Sequence, residues 1–582
     1  MKSEIKNCQN CKKDFTILAE DFVFYEKLKV PPPKLCRECR QMRRMSFRNE
    51  RNLYKRKCDK TGKNIISVFA PDSPYKVYDY SVWYGDEFEP MEYGRDFDFS
   101  RPFFEQFKEF MLDVPWSSLH IRTSENCEYN NDMSESRNCY LCSRTHYCTD
   151  ILYSYRVNYS RDCVDCMQCV KSCSFLYNCV ECIGCSTSSY LYFSENCANS
   201  SMLWNCKNCL DCFMCSNLRS KQYCFKNEPL GREEYKKKIA EFNLNSFAEK
   251  EKALREFEDF NKQTIRKNLN IFNSVNSTGD NIVNSRNSFL CFGVKFTENV
   301  RYLWDIQEYK DSMDSYSGGR NSELIYECTG TAGAYNCQFC LRASDSSDIS
   351  YSVIVKNCKN VFGCIGLENK KYCIFNKQYT KEEYEALKTK IVEHMKKTGE
   401  YGEFFPMKLS TFPYNDTVAE EYFPMTKEEA LGKGLRWQEP DTKNYTVTMP
   451  PENLSDNIKE VKEDILKEVI GCAHGETCNH GCTTAFRIIP RELEFYKRMN
   501  LLLPRLCPNC RHYGRLAKLN PLKLWHGKCQ CAGIESNNGI YKNLAKHHLH
   551  DESHCPNEFE TSYAPDRTEI VYCEKCYQQE VY

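Results

Sequence analysis

The chain has no surplus of either charge: 80 Lys and Arg stand against 80 Asp and Glu in 582 residues. A global electrostatic pull on nucleic acid or membrane is excluded, so any basic footprint must be local. Long apolar runs are missing as well. No stretch approaches the roughly 18 apolar residues of a membrane span. The opening Met1-Lys2-Ser3-Glu4-Ile5-Lys6-Asn7-Cys8 lacks the apolar segment of a secretory leader. P-loop, H-E-x-x-H, G-x-S-x-G and dinucleotide fingerprints are absent, which points away from the enzyme classes they mark.

What the chain has in excess is cysteine, 39 residues. With no leader, a cytoplasmic, reducing setting is expected, where thiols serve as metal ligands or buried side chains rather than disulfides. The length predicts several domains rather than one core.

The cysteines are patterned. Cys8, Cys11, Phe15, Phe24-Tyr25, Pro33, Cys36-x2-Cys39-Arg40, Arg44, Leu53 and Cys58 recur as Asn479, Cys482, Phe486, Phe495-Tyr496, Pro504, Cys507-x2-Cys510-Arg511, Arg515, Leu524 and Cys529. The offset is 471 residues throughout (Cys36 to Cys507). The same cysteine-ligated module therefore stands at both ends. Cys8, Cys11, Cys36 and Cys39 form two C-x2-C knuckles, each aiming two thiolates at one point; together they make a tetrahedral S4 site suited to structural zinc. A closed shell of four thiolates leaves no position for a reactive water. In the C-terminal copy Asn479 replaces the first cysteine. A C-x3-C knuckle, Cys478 and Cys482, with Cys507 and Cys510 is the expected set, and Cys472, His474 and His480 compete for places in it.

The match resumes after an insertion, where Ala70-Pro71-Asp72 and Val77-Tyr78 align with Ala564-Pro565-Asp566 and Val571-Tyr572. That register sets Asp79 and Val82 opposite Cys573 and Cys576. A second metal site is therefore expected in the C-terminal copy alone, drawn from Cys529, Cys531, Cys555, Cys573 and Cys576 with His550 or His554 as alternatives. Cys58 is its remnant. About three zinc ions per chain follow. Residues 5–45 resemble the zinc-ribbon domain family in the order C-x2-C, Phe, Phe-Tyr, Pro, C-x2-C-Arg, a resemblance that implies zinc and no activity. The whole-chain arrangement resembles a group of Cys-rich zinc-ribbon bacterial proteins.

The middle repeats too. Ser136-Arg137-Asn138, Cys142, Cys209, Cys215, Tyr223-Cys224 and Glu233-Glu234-Tyr235 recur as Ser285-Arg286-Asn287, Cys291, Cys358, Cys364, Tyr372-Cys373 and Glu382-Glu383-Tyr384, 149 residues on. Within each copy the apolar pieces are two or three residues long, Asn-Cys pairs recur, and no helical period runs through. Short strands, Asn at corners and small residues stacked inward predict a β-solenoid of a few rungs. A helix follows each copy, near 231–242 and 380–396, the second opened by a Thr380/Glu383 capping box.

The predicted fold class is mainly β with short helices: two terminal zinc ribbons flanking two tandem solenoid repeats. The expected order is a ribbon module at 1–95, a linking helix at 96–119, solenoid at 120–230, a helical spacer at 231–270 and solenoid at 271–379. A helix with an aromatic, Pro-rich connector at 380–452 and the second ribbon module at 453–582 complete it.

Two further patterns compete for function. Cys163-x2-Cys166-x2-Cys169-x3-Cys173, continued by Cys179, Cys182 and Cys185, has the spacing of an iron–sulfur run, with Ser174 where proline is expected. At +149 the first four become Ser312, Ser315, Gly318 and Ser322, so the solenoid does not require thiols there and packing is the simpler reading. His474-Gly475-Glu476 before Cys507-x2-Cys510 imitates a zinc-deaminase signature, but Leu506 stands in place of its proline.

Residues 37–57 carry Arg37, Arg40, Arg43, Arg44, Arg48, Arg51, Lys55, Arg56 and Lys57 with Phe47 and Tyr54 interleaved. On a zinc-ordered surface they suit phosphate contact and base stacking on RNA. The alternatives are a solvated face, or pairing with Asp86, Glu87, Glu89, Glu92, Asp96 and Asp98. The sequence thus points to a non-enzymatic zinc scaffold binding RNA or a ribonucleoprotein, away from membranes. A redox metalloprotein using Cys163–Cys185 and a pure protein-interaction scaffold are the alternatives.

Overall fold

The computed structural model describes the chain except residues 1, 169–172, 245, 440–444, 476, 549 and 551. It is mainly β, with short helices, a solenoid in each central repeat and Cys-rich groups at both termini. Among the described residues no helix is long and apolar enough to cross a membrane. Two compact units form, each from two chain segments: Met1–His120 with Leu269–Glu439, and Ile121–Asn268 with Pro440–Tyr582. The N-terminal Cys-rich module therefore shares a unit with the second solenoid, and the C-terminal one with the first.

The solenoid grows from one local rule. Every third residue is left-handed: Thr123, Asn126, Tyr129, Asp132, Glu135, Asn138, Leu141, Arg144, Tyr147 and Asp150 all have φ between 46° and 57°. Asn and Asp tolerate this region best. Strands pair in parallel at a spacing of 12 residues, as in Asn131↔Ser143 and Ser143↔Tyr155. Four left-handed residues per 12-residue rung turn the chain four times, which closes each rung. The corner amides stack into ladders: Asn126 donates to Asn138 at 2.8 Å and Asn138 to Asp150 at 2.9 Å. In the second copy Asn287 donates to Asn299 and Asn299 to Asp311. Each copy also contains a 13-residue rung at the same place, Val164↔Tyr177 and Met313↔Tyr326.

The residue after each corner points inward, and at many of these positions it is small. Cysteine and serine share these positions and make the same contact. The Cys142 thiol donates to the Tyr140 carbonyl at 3.2 Å and the Ser136 hydroxyl to the Ser134 carbonyl at 2.9 Å. This explains the Cys-to-Ser exchange between the repeats. A thiol here is a small hydrophobe with a weak donor.

The predicted helices occur at Phe103–Asp113, Arg232–Ala240, Phe247–Lys262 and Lys381–Lys397, the last with both halves of the Thr380/Glu383 capping box. The start of the connector runs along the second solenoid: Gly402 N–H donates to Tyr351 Oη at 2.9 Å, and Phe404 and Phe405 are buried.

Candidate metal centres

Each terminal Cys-rich module, here called a ribbon for its hairpin and helix alone, places its cysteines with the same local device. A two-stranded hairpin presents cysteine at its turn, and a helix opens on the C-x2-C pair. In the N-terminal ribbon the hairpin is Glu4–Asn7 with Asp14–Ile17, and the helix is Arg37–Met45, with Cys36 as its N-cap. Cys8, Cys11, Cys36 and Cys39 converge, with Cys11 and Cys36 sulfurs 3.7 Å apart. A tetrahedral zinc–thiolate shell with bonds of about 2.3 Å has sulfur–sulfur edges of about 3.8 Å, so the spacing fits a metal ion. Cys36 N–H donates to Cys8 Sγ at 3.3 Å and Asn10 Nδ2 to Cys39 Sγ at 3.2 Å. Burial opposes ionisation of Cys8, and N–H groups of Cys36, Cys11 and Asn10 overcome it, holding the thiol down to about 6. Cys36 is pushed up by the neighbouring Cys39 thiol and by burial. Four thiols this close cannot all ionise without a cation between them.

The C-terminal ribbon repeats the arrangement with a correction to the expected set. Cys472, not Cys478, joins Cys482, Cys507 and Cys510. Cys507 N–H donates to Cys472 Sγ at 3.3 Å, the counterpart of the Cys36-to-Cys8 bond. The knuckle has widened from Cys8-x2-Cys11 to Cys472-x9-Cys482, which the gap-free register aligned to Asn479 conceals. Cys478 instead meets His474, His480 and Cys510. Glu476 of the deaminase-like pattern lies outside the described residues.

A second C-terminal group that could hold a metal ion is made by Cys529, Cys555, Cys573 and Cys576. Cys531 stands apart from that tetrad in a further group with His547, His550 and again Cys576. His554 does not join; its Nδ1 lies 2.8 Å from the Cys555 carbonyl. The alignment of Asp79 with Cys573 holds in detail: Asp79 N–H donates to Cys58 Sγ and Cys573 N–H to Cys529 Sγ, both at 3.2 Å. Among the described residues Cys58 belongs to no ligand group.

The cysteines of 163–185 behave as solenoid interior. Cys163 donates to the Arg161 carbonyl at 3.2 Å and Cys182 to the Leu191 carbonyl at 3.1 Å, and burial pushes the Cys182 thiol up. Cys169 lies outside the described residues. Among the described residues no metal-ligand group includes any solenoid cysteine.

The basic run does not form the exposed face expected of it. Arg40, Arg43, Arg44 and Arg48 are buried. Arg40 pairs with Asp314 at 2.9 Å, Arg44 with Glu327 at 2.7 Å, and Arg43 with Glu327 and Glu403, both at 3.0 Å. Arg48 meets Glu50 at 3.0 Å, Arg56 meets Asp59 at 3.0 Å, Arg37 meets Glu38 at 2.8 Å and Arg51 meets Glu421 at 3.6 Å. Lys55 and Lys57 remain exposed. Burial works against the Arg40 charge and Asp314 outweighs it, so the guanidinium stays protonated.

The part of this pairing that centres on Asp314 is duplicated. In the other unit Arg511 meets Asp165 at 2.5 Å and Arg515 meets it at 3.5 Å. Arg511 and Arg515 are Arg40 and Arg44 moved by 471, while Asp165 is Asp314 moved back by 149. Tyr302 donates to Asp21 at 2.9 Å, and Tyr153 to Glu492 at 2.7 Å. The Tyr25 ring meets Tyr326 at 5.8 Å, and Tyr496 meets Tyr177 at 6.0 Å. The two sequence repeats are thus halves of one repeating unit, a ribbon docked on a solenoid. Arg43 and Glu327 are additions to the first unit; their counterparts, Gly514 and Asn178, are lost together.

No protein-family model matches the chain, and no curated protein matches it.

Proposed function

We propose that the protein is a non-enzymatic scaffold held together by zinc in a reducing, cytoplasmic setting, in which each ribbon clamps one solenoid. The observation that carries this reading is the form of the ligand groups: each offers four side chains, all cysteine in three groups and two cysteines with two histidines in the other two, enough to fill a tetrahedral shell. Structural sites of this kind supply folding free energy, and their ligand chemistry favours zinc. The buried arginines then act as the clamp rather than as a phosphate-binding face.

The test is metal removal. Treating the full chain with a strong chelator should expose both ribbons to limited proteolysis while the solenoids stay protected. Unchanged protection of the ribbons after complete metal loss would overturn the reading.

RNA binding is the second reading, moved from the ribbon helix to the first solenoid. There Tyr147 and Tyr159 are half exposed and stacked at 4.8 Å with planes 2° apart, and Arg137 and Arg161 stand exposed two positions along from that column. Aromatic faces with nearby guanidinium groups suit unpaired bases. Binding of single-stranded RNA that weakens steeply with salt and with Tyr159→Ala supports it; equal binding by that variant refutes it.

A further inference from the structure

The five ligand groups are not independent. Cys510 belongs to two of them and Cys576 to two others. We infer that each is a bridging thiolate, so that the C-terminal ribbon holds two dinuclear metal centres and the chain binds five ions rather than three. This rests on the reading that these groups hold a divalent, thiophilic metal, and deepens it.

In the first pair Cys510 Sγ lies 3.8 Å from Cys472 Sγ and 3.6 Å from Cys478 Sγ, one sulfur from each group. Both fit a tetrahedral edge of about 3.8 Å. In the second pair His550 Nε2 lies 3.2 Å from Cys576 Sγ and 3.3 Å from His547 Nδ1. Metal–nitrogen bonds of about 2.05 Å give a nitrogen–nitrogen edge of about 3.3 Å. Each pair has seven side chains, five cysteines and two histidines. Seven ligands complete two four-coordinate shells only if one serves both. Five thiolates with two dications leave about one negative charge, whereas a mononuclear four-thiolate shell carries about two; the shared form is the less costly to bury.

The histidines give independent evidence. His547 turns Nε2 to Glu580 at 2.7 Å, a carboxylate with a fully buried side chain, and His550 turns Nδ1 to the Ser553 carbonyl at 2.7 Å. Each ring is thereby oriented with its other nitrogen facing the cluster, the arrangement of a metal-ligating imidazole. In the first pair His474 Nδ1 and His480 Nδ1 are buried with no hydrogen-bond partner. A nitrogen lone pair hidden from water and unpaired is costly unless a metal takes it.

The outer ligands are insertions relative to the N-terminal ribbon. His474, Cys478 and His480 all lie in the extra length between Cys472 and Cys482. Cys531, His547 and His550 lie in the long loop between Trp525–Lys528 and Glu558–Thr561, where the other ribbon has a tight turn between Tyr54–Lys57 and Asn64–Ser67. Two separate loops have each brought one cysteine and two histidines to the last cysteine of a C-x2-C pair.

The test is 113Cd NMR with native mass spectrometry on the full chain reconstituted with 113Cd. Five bound ions and five resonances are expected, four of them split into two pairs by cadmium–cadmium coupling through a shared sulfur. His474→Ala with His480→Ala, which spares the inner tetrad, should lose one ion and turn its coupled partner into a single line. Three uncoupled ions would overturn the bridging thiolates while leaving metal-held ribbons intact, as would five uncoupled lines. Failure to retain cadmium at all would overturn both.

Discussion

Replacing Asp165 by Ala isolates the clamp that the two repeats share. The carboxylate is fully buried and faces Arg511 at 2.5 Å and Arg515 at 3.5 Å. Removing it leaves two buried guanidinium groups short of their counter-charge, with Glu492 4.0 Å from Arg511 as partial compensation. Breaking a buried pair from one side costs about 3–5 kcal/mol. The equivalent Asp314→Ala should cost less, because Glu327 still faces Arg44 at 2.7 Å and Arg43 at 3.0 Å. Hydrogen exchange of the helix Pro508–Leu516 reads the effect locally. Its amides should exchange roughly two to four orders of magnitude faster in Asp165→Ala, with a smaller change in Arg37–Met45 for Asp314→Ala. Substituting Asp165 together with Arg511 and Arg515 by apolar residues of similar size should recover most of the loss. If Asp165→Ala changes exchange by less than about tenfold, the ion pair is not what docks the ribbon, and the reasoning fails.

Four further outcomes are expected. Burial pushes the Glu492 carboxyl up to about 7. The folded state therefore holds this proton more tightly than the unfolded one. That contribution is complete below the ordinary carboxyl value, is lost as pH rises through about 7, and is worth about 3 kcal/mol; Glu492→Gln should flatten unfolding free energy across that window. Cys142→Ser should cost less than about 1 kcal/mol in chemical denaturation, since serine makes the same carbonyl bond elsewhere in the solenoid, whereas Cys39→Ser should release the N-terminal metal, read by its stoichiometry. Asn138→Ala strains a left-handed corner and breaks the amide ladder, for about 1–2 kcal/mol, and Asn138→Gly should restore the backbone share of that loss.

Much of this was legible because the chain repeats itself. Asn at recurring positions and Cys exchanging with Ser announce a solenoid, since corners need left-handed residues and many interior positions take small ones. The 12-residue rung is harder to see, because a three-residue step is neither a helical nor a strand period and a 13-residue rung interrupts the count. The N-terminal tetrad follows from spacing alone. Cys472 and the sharing of Cys510 and Cys576 do not, because inserted loops break the register that makes spacing informative. Arg40 and Arg44 read as a basic surface because charge in a sequence carries no sign of burial. The clue was that both registers keep the pair: Arg40 and Arg44 recur at 471, and Asp165 recurs at 149 as Asp314.

Zero-length carbodiimide cross-linking of the full native chain tests most directly whether each ribbon is clamped within its own unit. Lys27 lies 3.2 Å from Asp311, Lys518 3.3 Å from Glu258 and Lys267 2.6 Å from Glu574. Amide links at those pairs are the predicted result. Links from Lys27 into residues 121–230, or from Lys518 into residues 271–379, would contradict the account.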